Sequence, residues 1–379
     1  MAAIRNALIV GGGIGGLTAA VALRRAGIDV DVVEIKNDWS VYGVGIIQPN
    51  NTLRAMDRIG LARACAERGG AFPGWRIYDE ANRFLMDAPA PSTAAPQFPA
   101  INGITRPILQ QILMEAALAA GMRAQLGTTV TAVQDSGSSV RVSCSNGTVA
   151  DYDLLIAADG IHSATRTRLF GDAVVPRFTG QCVWRYNFER PADVEWGEIY
   201  FGSGTKVGLV PMSPATMYMF VVTAEPNNPR RDPQDLADLL RDRLADYTGR
   251  VAGLREKIVD SAAVVYKPME SVLLPKPWYK GRQIIIGDAA HATTPHLAQG
   301  AAMAIEDAVL LGDLLGRDRP LDSVLAEFVA RRFDRSKYVI DTSDQLAAWE
   351  LEQWNGVANP NANPGGLLHD ATVKLMEDF

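Results

Sequence analysis

The chain has 379 residues, 47% of them hydrophobic and 21% charged, with a formal net charge of −6 and a pI near 5.4. That length exceeds one small core and leads to an expectation of two intergrown domains. The acidic balance, without any basic stripe, excludes nucleic acid as an expected partner, and no apolar run is long enough to span a bilayer.

The arginine pairs Arg24-Arg25 and Arg331-Arg332 read as solvated helix faces. Cys65, Cys144 and Cys182 are far apart, show no metal-ligand spacing and form no C-x-x-C pair, so neither a metal site nor a disulfide framework is expected. The apolar run Ala7–Val10 is too short for a signal peptide and ends in glycines. These features together lead to an expectation of a cytoplasmic protein without a membrane partner.

In chain order, Asn6–Val10 reads as a buried strand, residues 11–16 as a glycine turn, Leu17–Ala26 as a helix ended by Gly27, and Ile28–Val33 as a second strand closing on Glu34. Residues 47–68 are predicted helical, and 82–101, rich in Pro and Ala, as loop or irregular edge. A helix over 107–120 and short strands near 128–133, 139–144 and 147–150 precede the buried strand Leu154–Ala157. From 176 to 268 the pattern changes to alternating, aromatic-rich strands interrupted by one helix over 233–247, which predicts an inserted antiparallel sheet. The buried-strand style resumes at Gln283–Ile286, followed by helices to about 350 and a loop-rich tail with a short final helix.

The turn Gly11-x-Gly13-x-x-Gly16, with Glu34 eighteen residues after its last glycine, stands between a strand and a helix as a dinucleotide site requires. Gly11 permits the tight turn, Gly13 lets backbone approach a pyrophosphate, Gly16 lets helix pack on strand, and Ile14 and Gly15 of the same turn are expected at the cofactor. Glu34 suits a ribose hydroxyl pair. This fingerprint is shared by NAD and FAD. Two later segments separate them: Asp159-Gly160 with Arg166 downstream, and Gly287-Asp288 running on to Pro295-His296-Leu297-Ala298-Gln299-Gly300-Ala301. A carboxylate at a strand's end holds sugar-alcohol hydroxyls, and a glycine-bearing helix start offers free amides to an electron-rich carbonyl edge. A flavin presents both groups; the competing reading makes Asp288 an ordinary helix cap.

In this order and at these separations, the three segments resemble the single-component, class A flavoprotein monooxygenases, the family of the salicylate, 6-hydroxynicotinate and para-hydroxybenzoate hydroxylases. The resemblance covers residues 5 to about 340. It implies an α/β fold: a Rossmann-like FAD-binding domain over 1–72, 102–175 and 269–345, an inserted, mainly antiparallel substrate sheet over 73–101 and 176–268, and a C-terminal tail and helix over 346–379. It implies tightly bound, non-covalent FAD, and places Asp159-Gly160 near the pyrophosphate, Gly287-Asp288 on the ribityl chain, and Pro295, Gln299, Gly300 and Ala301 against the ring. Arg106, Gln110, Gly45 and Ile46 resemble further FAD contacts; surface helix charge and a simple turn compete for these two pairs. The family reaction passes hydride from NADH or NADPH to the flavin and one atom of dioxygen to a small aromatic or N-heteroaromatic ring. There is no second G-x-G-x-x-G, and Gly202-Ser203-Gly204 reads as a hairpin.

His296, in the flavin loop before a helix start, is the expected base, with a loop histidine bonded to backbone as the alternative. Tyr218 is expected to bind or deprotonate substrate, or to be core. Arg185 is expected to pair with a substrate carboxylate or a flavin edge, or to form a surface ion pair. Met212, Met217, Met219, Phe220 and Trp184 suit the surroundings of a flat aromatic ligand, and equally an ordinary β-sheet core. An epoxidase acting on a larger polyketide-like substrate and a flavin protein without turnover are competing readings, and a monomer or homodimer is expected.

Overall fold

A computed structural model describes residues 4–41 and 43–379. Within the strand Asn6–Val10, residues 7–10 are apolar and buried because the strand pairs on both edges, in parallel with Asp29–Val33 and with Leu154–Ala157, and is covered on both faces. The full sheet runs Tyr279–Lys280, Gln283–Ile285, Leu154–Ala157, Asn6–Val10, Asp29–Val33, Arg123–Gln125, parallel except at the two-residue edge strand Tyr279–Lys280. The helix Ile14–Arg25 packs against Gly300–Leu315 at a small-residue seam: a Cβ added to Gly312 would sit 2.7 Å from that of Ala22. This arrangement collects Gly11, Glu34, Asp159 and Gly287-Asp288 at the carboxyl ends of adjacent parallel strands, where ligands of doubly wound sheets bind.

The second sheet has seven strands in the order Val265–Ser271, Arg177–Glu189, Thr216–Ala224, Thr205–Pro211, Gly197–Phe201, Gly74–Asp79, Phe84–Pro89. It is antiparallel except where Gly197–Phe201 pairs with Gly74–Asp79, and its last strand runs to Ser271. Alternation gives it two faces. Trp184, Tyr186, Met217, Met219, Val221 and Leu209 bury one face beneath the helices Leu236–Arg243 and Gly249–Arg255. Arg185, Tyr218, Phe220 and Val210 stand on the other, toward the small sheet Gly45–Pro49, Ile101–Thr105, Gly70–Phe72. Trp184, Met217 and Met219 therefore do not surround a ligand. They form the core on the reverse face.

Several sequence expectations are corrected. The stretch 47–68 is not one helix: Gly45–Pro49 is a strand, so Gly45 and Ile46 are paired with Thr105 and Ile104 rather than looped. Asn50–Arg58 and Ala62–Arg68 follow as separate helices broken at Gly60, whose φ is +79°. Phe84–Pro89, expected as loop, is an edge strand bonded to Gly74–Asp79; Pro89 is tolerated there because an edge has donors to spare. The tail expected from 346 begins only after Trp354, the end of the 34-residue helix Leu321–Trp354; Pro364–Leu375 is the final helix. Arg332 is fully buried rather than on a solvated face. The glycines at 202 and 204 do turn a hairpin. No helix among the described residues is long and apolar enough to cross a membrane.

Candidate flavin and substrate site

The glycine turn is held by steric need and by side chains. Gly11 has φ +105°, and a Cβ there would lie 2.4 Å from the Ala158 carbonyl oxygen; one at Gly16 would lie 1.9 Å from that of Gly11. Gly13, by contrast, has no atom within 4 Å of its missing Cβ, so the approach to the start of the helix Ile14–Arg25 is open. Glu34 Oε2 accepts from the Gly12 amide at 2.7 Å and Oε1 from that of Lys36 at 2.9 Å. Gln110 Nε2 donates to the Gly12 carbonyl at 2.7 Å, so it braces the turn from behind. Arg106 opens the helix Arg106–Ala119, and its guanidinium makes no hydrogen bond or ion pair with the described residues.

The Asp-Gly segment is internally satisfied. Asp159 accepts from Ser163 Oγ at 2.5 Å and from the Thr165 amide at 3.0 Å, which ties its carboxylate to the helix Ala164–Phe170, and Gly160 has φ +78°. The buried Arg166 donates to the carbonyls of Ile161, Val174 and Ala289 at 2.8, 3.1 and 2.8 Å, joining this segment to the Gly287-Asp288 turn. Gly287 has φ +60°, and its amide donates to Asp307 Oδ2 at 2.9 Å.

Asp288 differs. Its carboxylate has no hydrogen-bond or ion-pair partner among the described residues, and the residue is exposed to solvent. Burial pushes its pKa up, with His291 and Arg106 pulling the other way. An unpaired carboxylate and an unpaired arginine near enough to feel each other's charge, with the open turn at Gly13 at the end of a neighbouring strand, fit the hydroxyl-rich and phosphate-bearing parts of FAD.

Beyond it, Pro295–Leu297 forms a single 3₁₀ turn, and Ala298 takes φ +55°, a left-handed conformation costly for a residue with a Cβ and concentrated at functional loops. Gln299 exchanges two hydrogen bonds with Asn51, at 3.0 and 3.1 Å. Beneath the loop lies a charged network that the sequence reading did not assign. Arg332 donates to Asp307 Oδ1 and Glu306 Oε2, both at 2.7 Å; Arg335 grips Glu306 at 2.8 and 2.9 Å; and His291 Nε2 lies 2.5 Å from Asp307 Oδ2. The signal was present. Glu306-Asp307 is an acidic pair with only apolar and glycine neighbours from 300 to 312 in the helix Gly300–Leu315, and buried carboxylates require cations.

His296 is buried with both ring nitrogens engaged: Nδ1 with Thr294 Oγ1 at 2.8 Å and Nε2 with Glu350 Oε2 at 3.1 Å. Burial holds its pKa below the usual imidazole value, against the opposing pull of Glu350. The partners are side chains rather than the backbone groups considered from sequence.

Tyr218, Arg185, Met212 and Phe220 come together on one side of the second sheet. Gly45 lets them approach, because a Cβ there would lie 2.2 Å from both Met212 Sδ and the Tyr218 ring. Neither the Tyr218 hydroxyl nor the half-buried Arg185 guanidinium makes a hydrogen bond with the described residues. Burial pushes the Tyr218 phenol up to about 12 and Arg185 down to about 10, while Arg185 and Arg106 pull the phenol back. At neutral pH this leaves a hydrogen-bond donor beside a cation, both without partners.

A family model described as "FAD binding domain" matches residues 5–343. The chain is 32% identical over 357 residues to the 2-heptyl-3-hydroxy-4(1H)-quinolone synthase of Pseudomonas aeruginosa, covering 90% of each chain. It is 30% identical over 350 residues to the FAD-dependent urate hydroxylase of Klebsiella oxytoca, covering 88% of each. The crystal structure of Klebsiella pneumoniae HpxO with FAD and uric acid superposes with a TM-score of 0.85 at 25% identity, over 98% of this chain and 97% of that one. A Rossmann-like sheet with its cradle at the strand ends, an inserted sheet facing it, and these full-length likenesses have one explanation: the chain belongs to the FAD-binding family of class A monooxygenases and is an FAD-dependent monooxygenase.

Proposed function

We propose that the enzyme hydroxylates a small N-heteroaromatic ring carrying an ionisable oxygen, using NADH or NADPH and dioxygen. The observation that carries this reading is the unpartnered pair formed by Arg185 and the Tyr218 hydroxyl on the cofactor side of the substrate sheet. Bound FAD supplies hydride acceptance and activation of dioxygen. The protein's part is to hold the ring as an electron-rich anion. Arg185 pairs with the ring oxyanion, and Tyr218, protonated at neutral pH because burial raises its pKa to about 12, donates a hydrogen bond to it. Phe220 and Met212 supply an apolar wall that excludes water. The relatives support the substrate class: one is named for a quinolone and another for urate, both nitrogen heterocycles bearing ring oxygens.

In this reading Tyr218 is a donor rather than a base, and His296, with both nitrogens spent internally, shapes the flavin loop. Gly11, Gly13, Ile14, Gly15, Gly16, Glu34 and Arg106 serve the adenosine and pyrophosphate half of FAD, and Gly287-Asp288 the ribityl chain. Gly45, Ile46, Pro295, Gln299, Gly300 and Ala301 lie by the ring. Three unpaired cysteines accord with a cytoplasmic setting, and a monomer or homodimer belongs to the same proposal. Arg185→Gln tests it: kcat/KM for the oxygenated substrate should fall by about 10²-fold, the worth of a desolvated charge pair, with FAD content unchanged. An unaltered kcat/KM would remove Arg185 from the site.

A further inference from the structure

His296 belongs to the flavin loop, Lys206 to the strand Thr205–Pro211 of the substrate sheet, and Glu350 to the long helix Leu321–Trp354. They meet in one buried cluster. Glu350 Oε2 accepts from His296 Nε2 at 3.1 Å and from Gln181 Nε2 at 3.0 Å, and Glu350 Oε1 forms an ion pair with Lys206 Nζ. Because Glu350 can only accept, the His296 proton sits on Nε2 and Nδ1 receives the Thr294 hydroxyl. The ring is fixed in one tautomer and one orientation. Two residues on, Ala298 holds a left-handed backbone of the kind that persists where surrounding contacts enforce it.

We propose that Glu350 is a positioning residue: it clamps the flavin loop to the substrate sheet through His296 and Lys206, and so sets the distance between flavin ring and substrate. The inference rests on the monooxygenase reading above. A single carboxylate makes three attachments, one to the loop and two to the sheet, from a helix that belongs to neither. Among the described residues, no other side-chain hydrogen bond of His296 leaves its own loop. Apolar contacts of Leu297 with Leu346 and Leu375 hold the same loop from outside, so losing the clamp frees its orientation without unfolding it.

The test uses holoenzyme carrying Glu350→Ala together with Lys206→Ala, which removes the pair without leaving either charge buried alone. Glu350→Gln in the same Lys206→Ala background, which keeps an acceptor toward His296 and Gln181 and leaves no ammonium unpaired, serves as the conservative variant. Two quantities are read: the visible circular dichroism of bound flavin, which needs no substrate, and the share of oxidised NADH or NADPH appearing as hydroxylated product rather than hydrogen peroxide. The double-alanine variant should retain FAD, show an altered flavin dichroism, and lose on the order of tenfold in product per nicotinamide oxidised, the dioxygen leaving as hydrogen peroxide. The conservative variant should recover most of both signals. Wild-type dichroism and coupling in the double-alanine variant overturn the clamp, as does a conservative variant no better than the double-alanine one. If the wild-type enzyme oxygenates nothing, the functional reading fails on its own, and the dichroism still decides the clamp.

Discussion

Gly45 shows how closely single residues set this site. Its lack of a side chain, rather than any special φ, lets the Tyr218 ring and Met212 lie against the strand Gly45–Pro49. Gly45→Ala places a carbon 2.2 Å from both, so Tyr218 must shift while the glycine turn and Asp288 stay in place. The expected result is full FAD content with kcat/KM reduced about 10- to 100-fold, as a displacement of roughly 1 Å can produce; unchanged kinetics would mean that Tyr218 does not set substrate geometry. The need for glycine at positions 11 and 16, which depends on local spacing, was legible in the sequence. Glu350 was not, because it stands 54 residues from His296 and 144 from Lys206, and no periodicity links positions so far apart.

Among the elements, the helix Gly300–Leu315 carries the most consequence. Its N-terminal end underlies the flavin loop, and its second turn bears Glu306 and Asp307, both fully buried, with pKa values held below the usual carboxylate range by Arg332 and, respectively, Arg335 and His291, despite the opposing effect of burial. Arg332 reaches them from the neighbouring helix Leu321–Trp354, and Asp307 passes the constraint to the Gly287 amide. Arg332→Leu strips one cation from two buried anions and should destabilise the protein by about 3–5 kcal/mol. Urea denaturation checks this, and FAD retention should fall with it through Gly287. A loss below about 1 kcal/mol would show that Arg335 and His291 suffice. The helix itself was readable from its run of Ala, Leu, Val and Met; its ion network was half readable, since the acids announced a need for cations without saying which arginine answers it.

For the whole molecule, legibility followed contrast in the chain. The parallel sheet could be read because its strands are short apolar runs ending in glycine or an acid, as Asn6–Val10 and Leu154–Ala157 are. The strands Arg177–Glu189 and Thr216–Ala224 were recognisable as strands, but large apolar residues occur on both of their faces. Nothing in the pattern marked Tyr218 as facing the small sheet and Met217 as facing the helices. Phe84–Pro89 was hidden by its prolines and by a strand partner whose own pairing depends on distant Gly197–Phe201.

The central claim joins these two sheets in one reaction, and the most direct test is the oxidation of NADH and NADPH by the FAD-loaded protein. It is followed at the nicotinamide absorbance across hydroxylated nicotinates, quinolones, purines, phenols and benzoates, with product masses measured. The account predicts oxidation stimulated by an N-heterocycle bearing a ring oxygen, with a product heavier by one oxygen atom. Bound FAD with neither stimulation nor an oxygenated product across that panel would contradict it.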